Sequence, residues 1–213
     1  MRILNRYTRC LLLLLPLATA AGQIALLPPP DPPTYNSEAS YQPITGKQRF
    51  RWFVGSSIGA PSLTAGLFTA GLATARDRPV EYGPHWAGFG KRYGMRLTGI
   101  STSNAMEATV GALWGEDPRY LPAADRTFGG RIKHIVVTTF SAYRHDGNLA
   151  PAYARFIAIS GNNFLSNTWR ADSESSSTDA LERTGWGFLG RMGKNAFDEF
   201  WPSVQRHVFH RRR

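Results

Sequence analysis

Residues 54–75 run for 22 positions without a charged side chain, with Arg49 and Arg51 before them and Arg76 and Arg78 after them. At 1.5 Å per helical residue this stretch is long enough to cross the hydrocarbon of a bilayer. Its small residues, Gly55, Gly59, Ser62, Gly66, Ala70 and Ala73, recur every three or four positions and so share one helical face. Ile58, Leu67, Phe68 and Leu72 take the other side. A second stretch repeats the device through Ala87, Gly90, Gly94, Thr98, Ser101, Ala105, Ala108 and Ala112. Small side chains let helix backbones approach closely. Glycine inside a helix costs about 1 kcal/mol relative to alanine, so the stripes make sense where close contact offsets that cost. The two stripes therefore predict an antiparallel hairpin joined by residues 76–84, with Gly66 or Ala70 near Gly90 or Gly94, or a seam between two copies of the chain.

The rest of the body also reads as helices. Trp114-Gly115-Glu116-Asp117-Pro118 ends the second helix, because glycine favours the C-terminal cap and the residue before proline avoids helical dihedrals. Residues 132–143 form a shorter apolar segment whose β-branched run, 135–139, fits a strand or a buried helix. Asp146-Gly147 makes a turn. A helical pattern resumes over 152–165 through Tyr153, Phe156, Ile157 and Ile159. After the polar loop 171–177, Thr178 or Asp179 is placed to cap a last amphipathic helix with an apolar face through Leu181, Gly185, Phe188, Met192 and Ala196 toward Phe200. The expected fold is mainly α, a single bundle of close-packed, Gly/Ala/Ser-striped helices over residues 47–213 with a basic C-terminal tail.

What precedes the body changes the setting. Arg2, Arg6 and Arg9 lead into the apolar run 11–17, which ends in Ala18-Thr19-Ala20, the three parts of a secretory signal peptide with cleavage expected after Ala20. The run is about half of the ~20 residues a retained anchor needs. Cys10 stands before the run rather than at the cut, which argues against a lipoprotein. It is also the only cysteine, so the mature chain has no disulfide, thiolate nucleophile or cysteine-bound metal. Residues 28–43, PPPDPPTYNSEASYQP, hold six prolines and mark residues 21–46 as an extended tether. Three of the 25 basic residues and none of the 15 acidic ones lie in the leader, so cleavage lowers the formal charge from +10 to +7. For an exported chain the expected counter-charge is an anionic lipid or another acidic component of the cell envelope rather than nucleic acid.

Candidate chemistry is sparse. Gly55-Ser56-Ser57-Ile58-Gly59 fits the G-x-S-x-G pattern in which Ser57 would be a nucleophile at a strand-to-helix elbow. The chain lacks the alternating strands and helices that support such an elbow, and the stripe already accounts for the glycines, so Ser57 is expected to be structural. Gly88-Phe89-Gly90-Lys91-Arg92-Tyr93-Gly94 is a loosened dinucleotide fingerprint without the hydrophobic strand it needs in front. His85, His134 and His145 are scattered, and His207 and His210 sit beside Arg211 to Arg213, whose charge opposes a bound cation. No metal or cofactor site is expected. Glu107 stands alone in the otherwise uncharged stretch 97–115. Buried there, it is either a carboxylate paired with an arginine from a neighbouring helix, the favoured reading, or a group of raised pKa and a site candidate.

Through residues 82–97 (YGPHWAGFGKRYGMRL), 114–120 (WGEDPRY), 161–172 (GNNFLSNTWRAD) and 190–201 (GRMGKNAFDEFW), the chain resembles a group of uncharacterised exported bacterial proteins. The resemblance implies export and carries no activity, cofactor or residue role. Three functional classes follow. The first is a helical envelope protein, structural or binding, that associates with or partly enters a membrane. It is favoured by the uncharged stretch, the stripes, and Trp52, Trp114 and Trp169 near element ends. The second is a soluble periplasmic binding or structural module, favoured by a slightly negative mean hydropathy. The third is a periplasmic hydrolase using Ser57 or Glu107.

Overall fold

The computed structural model describes residues 41–209, so the expected leader, most of the tether and the last four residues lie outside it. Helix α1, Gly46–Ile58, starts at a capping box. The Thr45 hydroxyl accepts from the Gln48 amide, and the Gln48 side chain accepts from the Thr45 amide. Glycine at position 59 then breaks the uncharged stretch. Its backbone is extended (φ −68°, ψ 157°), and a Cβ there would lie 2.2 Å from the Gly55 carbonyl oxygen. Pro61 helps restart the chain as α2, Ala60–Ala75. Allowing for that break, Gly46–Ala75 is the one stretch among the described residues long and apolar enough to cross a membrane.

The 76–84 connection is held from beneath by a buried arginine. The Arg92 guanidinium donates to the carbonyls of Arg78, Pro79 and Gly83 and pairs with Asp77 at 3.1 Å. Helix α3, His85–Trp114, stops where expected, at a left-handed Gly115 (φ 70°) whose amide returns to Gly111. Helix α4, Phe128–Phe140, is capped by Thr127. The β-branched run 135–139 is therefore helical, and the strand begins directly after it. Ser141–Tyr143 (β1) pairs antiparallel with Leu149–Pro151 (β2) around the Asp146-Gly147 turn. Helix α5 is Tyr153–Leu165 and α6 is Ser177–Phe209. The cap of α6 is Ser176, not Thr178 or Asp179: its hydroxyl accepts from the Asp179 amide while the Asp179 carboxylate accepts from the Ser176 amide.

Helix α3 is the axis of a mainly helical bundle, packed against α1, α2 and α5, while α6 packs on α5 and α4. Tyr93 and Arg96 meet Gly66, Asn104 meets Ser57, and Arg49 lies over Gly111, so α1 and α2 run antiparallel to α3 as the hairpin reading required. Bonds from Ser103 to Ala158 and from Glu107 to Arg155 make α5 antiparallel to α3 as well. Arg51, Trp114 and the β-hairpin therefore lie at one end of the bundle. Arg76, Trp86, Lys91 and Trp169 lie at the other, where Ser173 donates to Glu81.

The seam differs from the expected one. Gly66 and Ala70 are buried as predicted, but Gly90 and Gly94 are exposed and a Cβ on either would meet nothing within 4 Å. The buried line of α3 is Gly88, Arg92, Gly99, Asn104, Glu107 and Gly111, rotated away from the small-residue stripe. The stripe pattern registered size and missed these polar side chains, which bury because each finds a partner across the seam. On α6, Leu181 and Gly185 likewise face outward, and Ala180, Asn195 and Glu199 are the buried positions.

This reversal extends to the whole body. Among the described residues the buried apolar side chains are seven alanines and Ile135, whereas Arg92, Glu107, Glu116, Asp117, Arg155, Asn195 and Glu199 are also buried. Outside are Phe68 (72 % exposed), Trp86 (84 %), Leu113 (79 %), Phe128 (73 %) and many others. Charges do not share that outer surface evenly. The exposed face of α2 carries none before Arg76, α3 none between Lys91 and Trp114, and α5 none at all.

Candidate functional site

Glu107 is buried and charge-paired. Its Oε1 accepts from Arg155 Nε at 3.0 Å and from Arg191 at 3.0 Å, and Oε2 accepts a longer bond from Arg191 at 3.4 Å. The two arginines come from α5 and α6, so one carboxylate on α3 ties three helices together. Neither arginine depends on Glu107 alone. Arg155 also donates to the carbonyls of Thr138, Thr139 and Ser141, where the end of α4 leaves acceptors unsatisfied. Arg191 donates to the Pro118 carbonyl at 2.6 Å and lies over the Trp52 ring, 5.6 Å from its centroid. The arginine-paired reading of Glu107 is the one the geometry has, with two partners rather than one.

The segment after α3 extends the network. Glu116 Oε2 accepts from the Ala154 amide at 3.0 Å, capping α5, whose own N-cap residue, Ala152, has no side chain able to do so. Its carboxylate thereby also opposes the positive end of the α5 dipole. Glu116 Oε1 is buried without a partner, and the space it shares with Glu107 and Asp117 is too tight to admit water. Asp117 is gripped by Arg119 at 2.7 Å and accepts from the Tyr41 hydroxyl at 3.1 Å. Burial, and then the Asp117 charge, push the Tyr41 phenol well above its ordinary range. A second acid-centred cluster lies further along α6. Glu199 accepts from Tyr120, the Ala123 amide and Arg131, and burial followed by Glu199 raises the Tyr120 phenol in the same way.

Ser57 sits in the last turn of α1, not at an elbow, and its buried hydroxyl accepts from Asn104 Nδ2 at 3.2 Å. Its hydroxyl faces an amide where a nucleophile would need a base. His134 donates from Nε2 to the Leu121 carbonyl, 2.8 Å away, and among the described residues no three His, Cys, Asp or Glu side chains are placed to hold a metal ion.

The same end of the bundle holds a cleft of about 230 Å³ lined by Tyr41, Pro43, Ile44, Gly46, Arg49, Ala112, Gly115 and His145. Arg49 is fixed there by the Glu116 carbonyl at 2.8 Å and the Ala108 carbonyl at 3.4 Å. Sequence reasoning found Glu107 and missed its partners, although the same signal marked them. Arg155 is the one charge between Asp146 and Arg170, and Arg191 the one between Arg183 and Lys194. No signal in the sequence marked Arg49, which stands among other basic residues. No family model, curated protein or solved structure matches this chain.

Proposed function

We propose that the protein is an exported, membrane-embedded component of the cell envelope, a binding or structural module whose charge-free α2, α3 and α5 faces meet acyl chains. One observation carries the reading: large apolar side chains lie outside and paired charges lie inside. A chain folding in water gains about 25 cal/mol for each Å² of apolar surface it buries. This bundle leaves much of that surface exposed and fills its seam with small and polar residues, the composition of helix contacts in lipid.

Two of the helical faces have the required length. From Arg51 to Arg76 the α1–α2 face spans about 38 Å, and from Lys91 to Trp114 the α3 face spans about 35 Å, against about 30 Å of hydrocarbon. On α6 the interval between the exposed Glu182 and Lys194 is about 18 Å. That interval is shorter than the hydrocarbon, Lys194 pairs with Asp198, and Lys133 is exposed on α4, so the apolar belt rests on the α1–α2, α3 and α5 faces. Trp86 and Trp169 at one end and Trp114 and Trp201 at the other are exposed, where tryptophan favours the interface. The leader, residues 1–20, supports export, and the basic balance supports an anionic leaflet as partner. The same apolar faces favour one competing reading, a soluble periplasmic module in which other copies cover them.

Carbonate washing of isolated membranes, followed by size measurement of the purified protein with and without detergent, tests the proposal. Retention in the washed membrane and precipitation without detergent are expected. Release into the wash as a discrete soluble oligomer overturns it.

A further inference from the structure

The Arg49 cleft has the makings of a headgroup site. Arg92, Arg119, Arg131, Arg155 and Arg191 are each bridged to a carboxylate, whereas Arg49, like Arg96, has only carbonyl partners, and of these two Arg49 lines a cleft. It is a half-buried guanidinium fixed in direction with its charge left over. The nearby Asp117 charge favours its charged form, but the Asp117 oxygens are bonded to Arg119 and Tyr41 and not to Arg49. His145, which also lines the cleft, has no hydrogen-bond partner among the described residues, and Gly46 brings the positive end of α1 to the same space. At about 230 Å³ the cleft is smaller than the roughly 300–1,000 Å³ that encloses a drug-sized ligand, so it suits a head group and not a whole molecule. Next to it, Phe50 and Leu113 are exposed, each one residue from a lining position. The cleft lies at the Trp114 end, the level of an interface.

We propose that this cleft binds the phosphate ester of an anionic phospholipid, with Arg49 and His145 donating to the phosphate oxygens and the acyl chains lying along Phe50 and Leu113. The proposal rests on the membrane reading. Arginine suits the task because its planar fork matches phosphate oxygens.

The test is calorimetric titration of the detergent-solubilised full chain with short-chain phosphatidylglycerol, with inorganic phosphate and with short-chain diacylglycerol, which has no phosphate. Saturable binding of phosphatidylglycerol is expected, at least tenfold tighter than inorganic phosphate, with none of diacylglycerol. Arg49→Gln should weaken it tenfold or more, and Arg49→Lys should restore part of the loss. Since Arg49 also holds two carbonyls, Ala112→Phe, which fills the cleft from an exposed position, serves as a second variant and should block binding while leaving the helical circular dichroism unchanged. Leu113→Ser should weaken the lipid and not inorganic phosphate. Equal affinity for phosphatidylglycerol in the parent, Arg49→Gln and Ala112→Phe proteins overturns the site while leaving the membrane reading intact. Inorganic phosphate bound as tightly as the lipid overturns the lipid as its source. Release of the protein by carbonate, tested separately, removes the membrane reading itself.

Discussion

Replacing Glu107 by alanine tests whether the bundle is held by its buried ion cluster. The change leaves two guanidiniums facing each other inside the fold, with side chains 3 % and 11 % exposed. Removing one partner of a buried ion pair costs about 3–5 kcal/mol, most of it the penalty for the charge left behind. Arg155 keeps three carbonyl acceptors, and Arg191 keeps the Pro118 carbonyl and the Trp52 face, which pulls the expected cost toward the lower end. Even 3 kcal/mol is a large part of the about 5–15 kcal/mol that keeps a domain folded. At about 2–4 °C per kcal/mol for a body of this size, the melting temperature should fall by roughly 6–20 °C. Glu107→Gln keeps the shape and an acceptor oxygen while removing the charge, and should lie between the parent and the alanine variant. Thermal melts in detergent micelles, followed at 222 nm, measure this. A Glu107→Ala protein melting within about 2 °C of the parent would refute the idea that this carboxylate ties α3, α5 and α6 together.

The glycine seam gives a reversal to check. Gly66→Leu should destabilise by about 1–3 kcal/mol, because a Cβ at position 66 already comes within 2.8 Å of the Tyr93 ring. Gly94→Leu should be tolerated in detergent melts, its Cβ meeting open space. Ser57→Ala should lower stability by about 1–2 kcal/mol through the amide it strands on Asn104, and a fluorophosphonate probe should label parent and variant alike at background level. Tyr41 and Tyr120 titrate above the ordinary tyrosine value near 10, so the folded state holds protons that the unfolded state releases. Their contribution is complete below pH 10 and is lost as pH rises beyond it. Denaturant titrations at pH 9 and pH 11 should show a drop that shrinks in Tyr41→Phe and Tyr120→Phe, and equal pH dependence in all three proteins would count against it.

The helices were legible because their signals are local. The Gly115 stop, the Asp146-Gly147 turn and the helical period of residues 152–165 depend on near neighbours along the chain. Which face of each helix turns inward depends on partners far away in sequence, and there the size pattern pointed the wrong way for α3. Arg92, Asn104 and Glu107 occupy the seam because Asp77, Ser57, Arg155 and Arg191 meet them there. These positions recur at helical spacing on α3, but their mixture of charged, amide and glycine residues gives no apolar or size pattern that marks them. The buried ion cluster was half legible for the same reason. An isolated charge in an apolar stretch flags a residue that must be paired if buried, and Glu107, Arg155 and Arg191 all carried that flag. Their mutual assignment required the antiparallel order of α3, α5 and α6.

The small-residue stripe on α3 then needs a different account. On α3 the outward positions Gly90, Gly94 and Thr98 form a smooth strip with no charge from Thr98 to Trp114, while bulky side chains flank it at Trp86 and Leu113. In water such a strip gains nothing from its glycines, each costing about 1 kcal/mol of helix stability. In lipid the hydrogen-bonded helix is the state every spanning segment must take, so the backbone penalty loses much of its force. Close approach by another helix, including one from a second copy, would then return packing energy at this strip. Gly94→Leu therefore separates two effects. Thermal stability of the isolated chain should be unchanged, whereas cross-linking between copies in native membranes should fall if the strip is a contact between them. Unchanged cross-linking would leave the strip facing acyl chains.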